Sequence, residues 1–372
     1  MTRIGITGAN GFLGTHLRNV LGLAGKEFEL VDFDRAWFDA PRQLDDFVRG
    51  VDAIVHLAAL NRHHDPDEIF NTNTGITRSL IDSLLRTGET PHVLISSSVQ
   101  EFRPGRYGDS KRESRLMLAD WAKASGANFT GLVIPNLYGP FGHPRYNSVV
   151  ATFCSQVSRG QEVTVENDPE IDFLYVGSLA ERIVAILRAR TNEPFLRIEA
   201  EHSVRISELK GQIEEIRHTY QEGGAMPRLR SQFDRWLFLT YQCYMPLGEC
   251  FPKALSSHSD ERGSFVEVLR ARIDGQVSFS TTNPGITRGN HYHTRKTERF
   301  AVIKGVAEVA IRQIGTDQRL VFRLDATTPS FVDMPIWHTH NITNVGEEPL
   351  YTVFWISEEY DPTDPDTYFE VV

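Results

Sequence analysis

The sequence predicts two domains, an α/β domain with a doubly wound parallel sheet followed by an all-β barrel. Three observations lead to this fold class. At 372 residues the chain is longer than one hydrophobic core usually serves. From residue 3 to about residue 187, short β-branched runs alternate with helical patterns, as in a parallel sheet with crossover helices. After Pro252, short alternating strands are separated by Gly, Asn, Asp and Pro turns, which is typical of a sandwich or small barrel.

The elements of the first domain follow the alternation in order. Strands are predicted at residues 3–7, 27–32, 53–57, 92–96 and 128–134, and helices at residues 14–23 and 110–125. Beyond Thr191 the alternation fades, and a helical stripe of Leu209, Ile213, Ile216 and Tyr220 predicts a smaller lobe that faces the substrate. We therefore predict a Rossmann-type domain with this lobe over residues 1–250 and a barrel domain over residues 251–372.

The composition excludes several classes of function. A formal net charge of -10 argues against a general nucleic-acid binder, which needs clustered Lys and Arg to neutralise phosphates. The three cysteines have no metal-like spacing and suit a reducing compartment. No charged-then-apolar leader opens the sequence, and no apolar stretch approaches the ~20 residues that span a bilayer. We expect a cytoplasmic protein that binds neither nucleic acid nor membrane.

A glycine-rich loop follows the first predicted strand directly and leads into a helix. It reads Gly8-Ala9-Asn10-Gly11-Phe12-Leu13-Gly14. Glycines at these positions let the backbone approach a pyrophosphate, whose charge meets the amides and the positive end of the helix. The loop predicts a dinucleotide site, and a tight turn in a non-binding α/β fold is the alternative.

The residues after the second predicted strand bear on the choice of cofactor. Asp32, with Asp34 as a second candidate, stands where a carboxylate would hold a free ribose 2′-hydroxyl, which favours NAD. Arg35 and Arg3 are close enough in sequence to hold a 2′-phosphate instead. The sequence therefore leaves the choice between NAD and NADP open.

A tyrosine and a lysine at the start of a predicted helix are candidates for catalysis. Tyr107 and Lys111 are four residues apart, so both project from one helix face, where an ammonium can stabilise a phenolate. This pattern alone is common. It gains weight because Ser96-Ser97-Ser98 ends a strand shortly before, where a hydroxyl could bind the substrate oxygen that Tyr107 protonates.

Roughly residues 1 to 250 resemble the extended short-chain dehydrogenase/reductase family that acts on nucleotide sugars. The residues that carry the resemblance are the glycine loop, His56-Leu57-Ala58-Ala59, Asn73, Ser98, Tyr107, Lys111 and Pro135-Asn136-Leu137-Tyr138-Gly139-Pro140. The resemblance implies that Leu57, Ala58, Ala59 and Asn73 lie at the cofactor and that Lys111 also holds the nicotinamide ribose. It further implies that Ser98 and Tyr107 handle the sugar C4 oxygen and that Asn136 faces the sugar.

Three further features refine this interpretation. Sugar 4,6-dehydratases of the family carry an Asp-Glu pair after the hydroxyl residue, where this chain has Val99 and Gln100. The gap from Ser98 to Tyr107 is also shorter than in the 4-epimerases, so a reductase is favoured. Arg228 and Arg230 could contact a diphosphate, although arginines in such a segment are more often solvated.

Two histidine segments of the second domain predict a metal site. The first is Gly285-Ile286-Thr287-Arg288-Gly289-Asn290-His291-Tyr292-His293, followed by Glu298 and Gly305. Residues two apart in a strand face the same side, so His291 and His293 can point together into a barrel while Glu298 reaches in after the turn. The second segment, Pro335-Ile336-Trp337-His338-Thr339-His340, offers a fourth ligand. Such ligands suit zinc, iron, manganese or nickel, and zinc is our prediction for a structural or Lewis-acid role.

These segments resemble the two cupin motifs. The resemblance implies that His291, His293, Glu298 and His340 are the ligands, with Asn344 trailing and Trp337 in place of the usual glycine. Asp260-Glu261-Arg262-Gly263 resembles the start of sugar-nucleotide 3,5-epimerase cupins, in which a base removes the proton beside a C4 ketone. His338 or Tyr292 is the predicted base. The alternatives are an ordinary histidine-rich strand and a barrel that has lost its metal.

With the closing residues 361–369, the whole chain resembles the bifunctional enzymes of capsular polysaccharide and O-antigen assembly. The resemblance implies that the cupin epimerises C3 of a UDP-2-acetamido-2,6-dideoxy-hexos-4-ulose and that the reductase then reduces the 4-ketone with NADPH. The product would be a UDP-6-deoxy-L-HexNAc of the talosamine or fucosamine type, and we expect a homodimer.

Three alternatives remain open. A metal-dependent oxygenase fused to a dehydrogenase would show a similar donor set. A single-function reductase could use the cupin only to dimerise. A nucleotide-sensing module is disfavoured by Tyr107 and Lys111.

Overall fold

The computed structural model describes residues 1–261, 263–271 and 275–372. Arg262, part of the epimerase-like segment, lies outside the described residues. Two compact units form, Met1–Val149 with Asn167–Ile206 and Val150–Glu166 with Ser207–Val372. The predicted fold class is confirmed, because a parallel sheet with helices is followed by antiparallel sheets of a barrel. The compact units divide the chain differently from the predicted boundary at residue 250.

The described residues contain the following elements. The α-helices are α1 (Phe12–Leu23), α2 (Pro41–Arg49), α3 (Pro66–Thr87), α4 (Arg106–Ser125), α5 (Val149–Ser158), α6 (Val176–Ala189), α7 (Ile206–Ile216), α8 (Gln232–Tyr244) and α9 (Leu247–Cys250). The strands of the first unit are β1 (Thr2–Thr7), β2 (Phe28–Val31), β3 (Ala53–His56), β4 (His92–Ser98), β5 (Phe129–Ile134), β6 (Asn136–Tyr138), β7 (Glu170–Tyr175), β8 (Glu193–Arg197) and β9 (His202–Arg205). Those of the second unit are β10 (Lys253–Ala254), β11 (Ser257–Asp260), β12 (Gly263–Val266), β13 (Gln276–Thr282), β14 (Thr287–Tyr292), β15 (Glu298–Lys304), β16 (Val306–Gln313), β17 (Arg319–Asp325), β18 (Ser330–Met334), β19 (His338–Asn344), β20 (Leu350–Ile356) and β21 (Tyr368–Phe369).

The main sheet of the first unit has the strand order β2-β1-β3-β4-β5-β8, and its neighbours pair in parallel. Every residue of β3 and β5 is buried, as expected for strands covered on both faces. Leu17, Leu21 and Ile183 belong to one hydrophobic cluster, whereas Leu80 and Leu118 belong to another. The strand order reverses beside β1, and such a reversal opens a ligand crevice at the carboxyl ends of the strands.

The first predicted strands and helices agree well with the structure. The five strands begin and end within two residues of the predicted limits. Helix α4 begins at Arg106, four residues before the prediction, so Tyr107 lies in its first turn. Among the described residues, no helix is both long and apolar enough to cross a membrane.

The barrel of the second unit consists of two five-stranded antiparallel sheets. Their orders are β10-β18-β15-β20-β13 and β17-β16-β19-β14-β21. The predicted metal ligands lie on β14, β15 and β19 or, for His293, directly after β14, and these strands come from both sheets. The barrel therefore brings Glu298 and His340, 42 residues apart in sequence, to one interior.

The helical segment after residue 206 packs on the barrel. The predicted apolar stripe, from Leu209 to Tyr220, is buried. The Tyr220 hydroxyl donates a hydrogen bond to Asp333 of β18 at 2.8 Å. Arg299 of β15 donates to both oxygens of Asp333 and to the carbonyl of Gly224. Tyr220, the last residue of the stripe, and the carbonyl of Gly224 thus connect this segment to the sheet that contains β15 and β18. The role of the segment towards the substrate stays a prediction.

Candidate active sites

A cavity of about 1300 Å³ lies in the first unit and is lined by residues at the carboxyl ends of its strands. Predicted cofactor residues in its lining are Gly8, Asn10, Gly11, Phe12, Leu13, Gly14, Asp32, Leu57, Ala58 and Ala59. Predicted catalytic and substrate residues in the lining are Ser98, Tyr107, Lys111 and Asn136. The fold therefore gathers the glycine loop and the tyrosine-lysine pair around one space.

The glycine loop has the shape that a dinucleotide requires. Gly8 has a φ of +77°, and a Cβ there would lie 2.8 Å from the Ala58 nitrogen. A Cβ on Gly14 would lie 2.3 Å from the Gly8 carbonyl oxygen. Helix α1 has no side-chain cap at its N-terminus, so its first amides are available to a phosphate. The residues present fit a bound dinucleotide.

Lys111 and Tyr107 have perturbed protonation equilibria. Burial lowers the pKa of Lys111 to about 8, and its ammonium donates a hydrogen bond to the Ser96 hydroxyl at 3.3 Å. Burial, helped by the nearby Tyr146, raises the pKa of Tyr107 to about 12. The predicted lowering of the phenol pKa by Lys111 is thus not what this structure shows. Tyr107 is protonated at neutral pH, which suits a proton donor.

Ser98 lies at the end of β4, beside the first turn of α4. Its hydroxyl accepts a hydrogen bond from the Gln100 nitrogen at 3.2 Å. Gly108 packs directly on this turn, because a Cβ there would lie 2.1 Å from the Gln100 carbonyl oxygen. This close approach places Ser98 and Tyr107 on the same cavity despite the short sequence between them.

A buried ion pair holds the same two segments together. Arg115 of α4 donates two hydrogen bonds to the Glu101 carboxylate, at 2.8 and 3.1 Å, and the Ser97 hydroxyl donates a third at 2.5 Å. Both charged side chains are buried. The sequence analysis did not find this pair, since a single Glu and a single Arg fourteen residues apart give no recognisable pattern.

Three other predicted residues have distinct positions. Asn73 is buried and is not part of the lining. It forms hydrogen bonds with the backbone of Leu60, which lines the cavity, and with the Ser110 hydroxyl, so it stabilises the cavity wall at Leu60. Asn136 lines the cavity and donates to the Asp172 carbonyl at 3.2 Å. Arg228 belongs to the second unit, whereas the lining residues belong to the first.

The residues that could select between NAD and NADP do not all line the cavity. Asp32 and Asp34 both line the cavity, and Asp34 also caps a short helix by accepting from the Ala36 nitrogen at 2.9 Å. Arg35 lines the cavity. Arg3 is not in the lining and lies 3.8 Å from Glu29.

The lining also contains residues that the sequence analysis missed. Among them are Arg18, Arg62, His143, Tyr146, Asn147 and Ser148. Arg62, His143, Tyr146, Asn147 and Ser148 lie outside the regular elements, where no motif or periodicity marks a side chain as part of a cavity.

The second unit brings the predicted metal ligands together. The donor atoms of His291, His293, Glu298 and His340 all lie within 4.8 Å of one another. The Nε2 atoms of His293, His340 and His291 lie 3.2, 3.1 and 3.9 Å from the Glu298 carboxylate. Donors ~2.1 Å from a tetrahedral ion are roughly 3.4 Å apart, so the cluster has the size of a metal site.

The ring orientations also fit a bound cation. His340 Nδ1 donates to the His338 carbonyl at 3.1 Å, and His293 Nδ1 donates to the Asp366 carbonyl. A carbonyl can only accept, so both rings carry their proton on Nδ1 and expose the Nε2 lone pair. Nε2 of His293 is buried without an aligned hydrogen-bond partner. Ligating nitrogens have these properties.

A β-bulge places His291 in the cluster. The register between β14 and β19 shifts between Gly289 and His291, which leaves His291 directly opposite His340. Gly289 has a φ of +102°, and a Cβ there would lie 2.8 Å from the His340 carbonyl oxygen. Glycine is therefore required where the two strands approach.

Asn344, the trailing residue of the motif, is no donor to the cluster. Its amide donates to the carbonyls of Thr282 and Glu348, each at 2.8 Å.

The two predicted bases lie outside the donor cluster. His338 is buried, its Nδ1 donates to the Ile336 carbonyl at 2.8 Å, and burial lowers its pKa to about 4. The Tyr292 ring stacks on Trp337 and Tyr368, and burial raises its pKa to about 12. The assignment of a base stays a prediction.

The fold and the first site define a nicotinamide-dependent α/β enzyme, joined to a barrel with a metal-type donor cluster. The chain matches the NAD dependent epimerase/dehydratase family over residues 4–196 and belongs to that family. Residues 258–368 match the polysaccharide biosynthesis C-terminal domain. The protein is accordingly an NAD(P)-dependent enzyme.

Three relatives show the extent of the similarity. UDP-2-acetamido-2,6-beta-L-arabino-hexul-4-ose reductase of Pseudomonas aeruginosa is 34% identical over 98% of this chain and 97% of its own length. The crystal structure of capsular polysaccharide assembling protein CapF from Staphylococcus aureus is 30% identical, with a TM-score of 0.63 and 100% of both chains covered. Spore coat polysaccharide biosynthesis protein SpsL of Bacillus subtilis is 28% identical over 31% of this chain and 82% of its own. The predicted resemblance to capsular polysaccharide assembly enzymes is confirmed.

Proposed function

We propose that this chain is a bifunctional nucleotide-sugar enzyme. The barrel epimerises C3 of a UDP-2-acetamido-2,6-dideoxy-4-keto-hexose, and the first unit reduces the C4 ketone with NADPH. The observation that carries the proposal is the meeting of Ser98, Tyr107 and Lys111 with the glycine loop on one cavity. The relative of 34% identity supports the substrate, since its name describes the reductase of a UDP-linked 4-ulose. The product would be a UDP-6-deoxy-L-HexNAc for capsule or O-antigen synthesis.

In the reduction, bound NADPH supplies a hydride to the ketone carbon. Tyr107 gives its proton to the carbonyl oxygen, which becomes the hydroxyl, while Ser98 holds that oxygen. Lys111, which lines the same cavity, would hold the ribose of the nicotinamide. Arg35, which lines the cavity, is the residue we propose for the 2′-phosphate, and Asp32 would accept from the ribose if NAD is bound instead.

In the epimerisation, the residues of the donor cluster hold a divalent cation, for which we propose zinc. Such a cation supplies positive charge that stabilises an enolate. A base, for which His338 and Tyr292 are candidates, takes the C3 proton, and a proton returned to the opposite face inverts the carbon. The ketone at C4 is what makes the C3 hydrogen acidic, so epimerisation precedes reduction.

Hydrogen exchange in deuterated buffer tests both steps. The enzyme is incubated with the UDP-linked 4-keto-6-deoxy-HexNAc, with and without NADPH, and NMR gives the C3 label and the configuration of the product. We expect C3 deuteration without NADPH, and an alcohol at C4 with inverted C3 when NADPH is added. Tyr107→Phe should deuterate C3 without oxidising NADPH. Given a substrate that is already epimerised, His291→Ala should oxidise NADPH without deuterating C3.

Each negative result has a separate meaning. If Tyr107→Phe oxidises NADPH at the wild-type rate, the role of Tyr107 is wrong. NADPH oxidation without C3 deuteration in the wild type would identify a single-function reductase with a structural barrel.

We also propose that the chain forms a homodimer through the barrel. The hairpin β11–β12 is almost wholly exposed and includes Phe265, and an isolated two-stranded hairpin is marginal in water. Strand β13 lies at a sheet edge and exposes Val277 and Phe279. A second copy could cover both features through a two-fold interface. Light scattering should give twice the mass of the chain, and Phe279→Ser should lower it.

A further inference from the structure

The C-terminal residues run back along the strand that carries His291. Strand β21 pairs antiparallel with β14, with Phe369 opposite His291 and Tyr368 opposite Tyr292. Asp366 comes just before this pairing and is only 2% exposed. The end of the chain therefore lies against the donor cluster, seventy-three residues from His293 in sequence.

Asp366 bonds the donor cluster through both its backbone and its side chain. Its carbonyl oxygen accepts the hydrogen bond from His293 Nδ1. Its carboxylate accepts from the Thr294 nitrogen at 3.0 Å, the Thr294 hydroxyl at 2.7 Å and the Arg295 nitrogen at 3.1 Å. Thr294 and Arg295 begin the turn that connects His293 to Glu298. One residue thus contacts a ligand ring and caps the turn between two ligands.

The residues beside Asp366 hold it against this turn. The Arg295 side chain bonds the Asp364 carboxylate at 2.9 Å, and Lys296 donates to the Pro365 carbonyl at 2.7 Å. Asp366 has a φ of +41°, in the left-handed region that costs energy for a residue other than glycine. Its conformation therefore persists because these contacts fix it.

We propose that Asp366 is a positioning residue for the metal centre, which orients His293 and the turn to Glu298 and thereby sets the affinity for the cation. The inference rests on the proposed metal site. A carbonyl that fixes the ring of a ligand, and a carboxylate that fixes its backbone, keep two donors at the spacing that a cation requires. Partners of ligating side chains commonly change metal affinity by roughly 10- to 100-fold when they are removed.

The test measures Zn²⁺ affinity of the full chain by competition with a chelating indicator. Asp366→Ala and Asp366→Asn are compared with the wild type and with Asp361→Asn. Asp361 lies in the same tail, and its carboxylate accepts from the Thr363 hydroxyl and nitrogen, at 2.7 and 2.8 Å, so it is a matched control. We expect Asp366→Ala to weaken Zn²⁺ binding by roughly 10- to 100-fold, Asp366→Asn to weaken it less, and Asp361→Asn to leave it unchanged.

Two further measurements separate positioning from folding. The visible spectrum of bound Co²⁺ reports the arrangement of its ligands, so it should change in Asp366→Ala. The melting temperature of the metal-free variant should stay close to that of the metal-free wild type. A large fall in this temperature, with an unchanged Co²⁺ spectrum, would mean that Asp366 only supports the fold, and the inference would be wrong.

The remaining outcomes distinguish this inference from the proposed function. If the wild type binds Zn²⁺ and Asp366→Ala binds it equally well, the role of Asp366 is wrong while the metal site stands. If the wild type binds neither Zn²⁺ nor Co²⁺, the metal site and the inference fail together.

Discussion

Replacing Lys111 by methionine should stabilise the cofactor-free protein while abolishing reduction. Lys111 is 5% exposed, and burial lowers the pKa of its ammonium from 10.5 to about 8. At pH 7 the ammonium is charged in the folded and the unfolded chain, so folding carries the full cost of burying the charge. The difference between the two pKa values means that the buried charge lowers the free energy of unfolding by about 3 kcal/mol. Losing the hydrogen bond to Ser96 removes about 1 kcal/mol, which leaves a net gain of about 2 kcal/mol.

The stabilisation should depend on pH in a direction that these pKa values fix. Between pH 8 and pH 10.5 the folded lysine is neutral, while the unfolded one still binds a proton. The free energy of unfolding of the wild type therefore rises with pH in this range. The stability advantage of Lys111→Met over the wild type becomes smaller as a result. At pH 7, about 2 kcal/mol corresponds to a rise in melting temperature of roughly 4–8 °C for a unit of this size.

Thermal melts of the cofactor-free proteins at several pH values from 7 to 10 test this reasoning. Lys123 is exposed on the same helix, so Lys123→Met is the control. A lower melting temperature for Lys111→Met than for the wild type at pH 7 would refute the argument. So would a difference that stays constant as the pH rises.

Three other changes have defined outcomes. Arg115→Met leaves the buried Glu101 carboxylate without its cation and should destabilise the protein by about 3–5 kcal/mol in a thermal melt, whereas replacing both residues by methionine should restore most of the loss. Arg35→Ala should raise the KM for NADPH by roughly tenfold in steady-state assays and leave that for NADH unchanged, and an equal effect on both cofactors would contradict the 2′-phosphate role. Gly289→Val places a Cβ 2.8 Å from the His340 carbonyl oxygen and should lower stability by about 2 kcal/mol or more, while Gly315→Val, at a turn with open space, should cost less.

The parts of the fold that could be predicted are those fixed by local pattern. The strands of the parallel sheet are short β-branched runs, and burial on both faces keeps them apolar throughout. The glycine loop and the two-residue spacing of His291 and His293 are likewise local. Backbone geometry alone then brings such residues to one crevice or one strand face.

The contacts that join distant segments could not be predicted in this way. The apolar stripe identifies a buried face but not its partners, so the hydrogen bond from Tyr220 to Asp333 of the barrel could not be predicted. The Glu101–Arg115 pair depends on the close approach of α4 to the turn after Ser98. Asp366 looks like any residue of an acidic, proline-containing tail, and only its burial against His293 distinguishes it.

Three residues beside the metal ligands have a backbone conformation that residues other than glycine usually avoid. Asn290 and Trp337 have φ values of 59°, and Asp366 has one of 41°. Trp337 stands where the barrel motif usually has glycine, yet it keeps the left-handed conformation that favours glycine. Each such residue costs about 1–2 kcal/mol, which local sequence preference does not offset.

Hydrogen bonds around the donor cluster hold these strained residues. The Trp337 nitrogen donates to the His293 carbonyl at 2.7 Å, and the Asn290 carbonyl accepts from the Glu370 nitrogen at 2.9 Å. Asp366 accepts from the same His293. These hydrogen bonds connect β14, the turn before β19 and the C-terminal tail to one another. A cluster ordered in this way has its donors in place before a cation arrives, so the free energy of binding is not spent on arranging them.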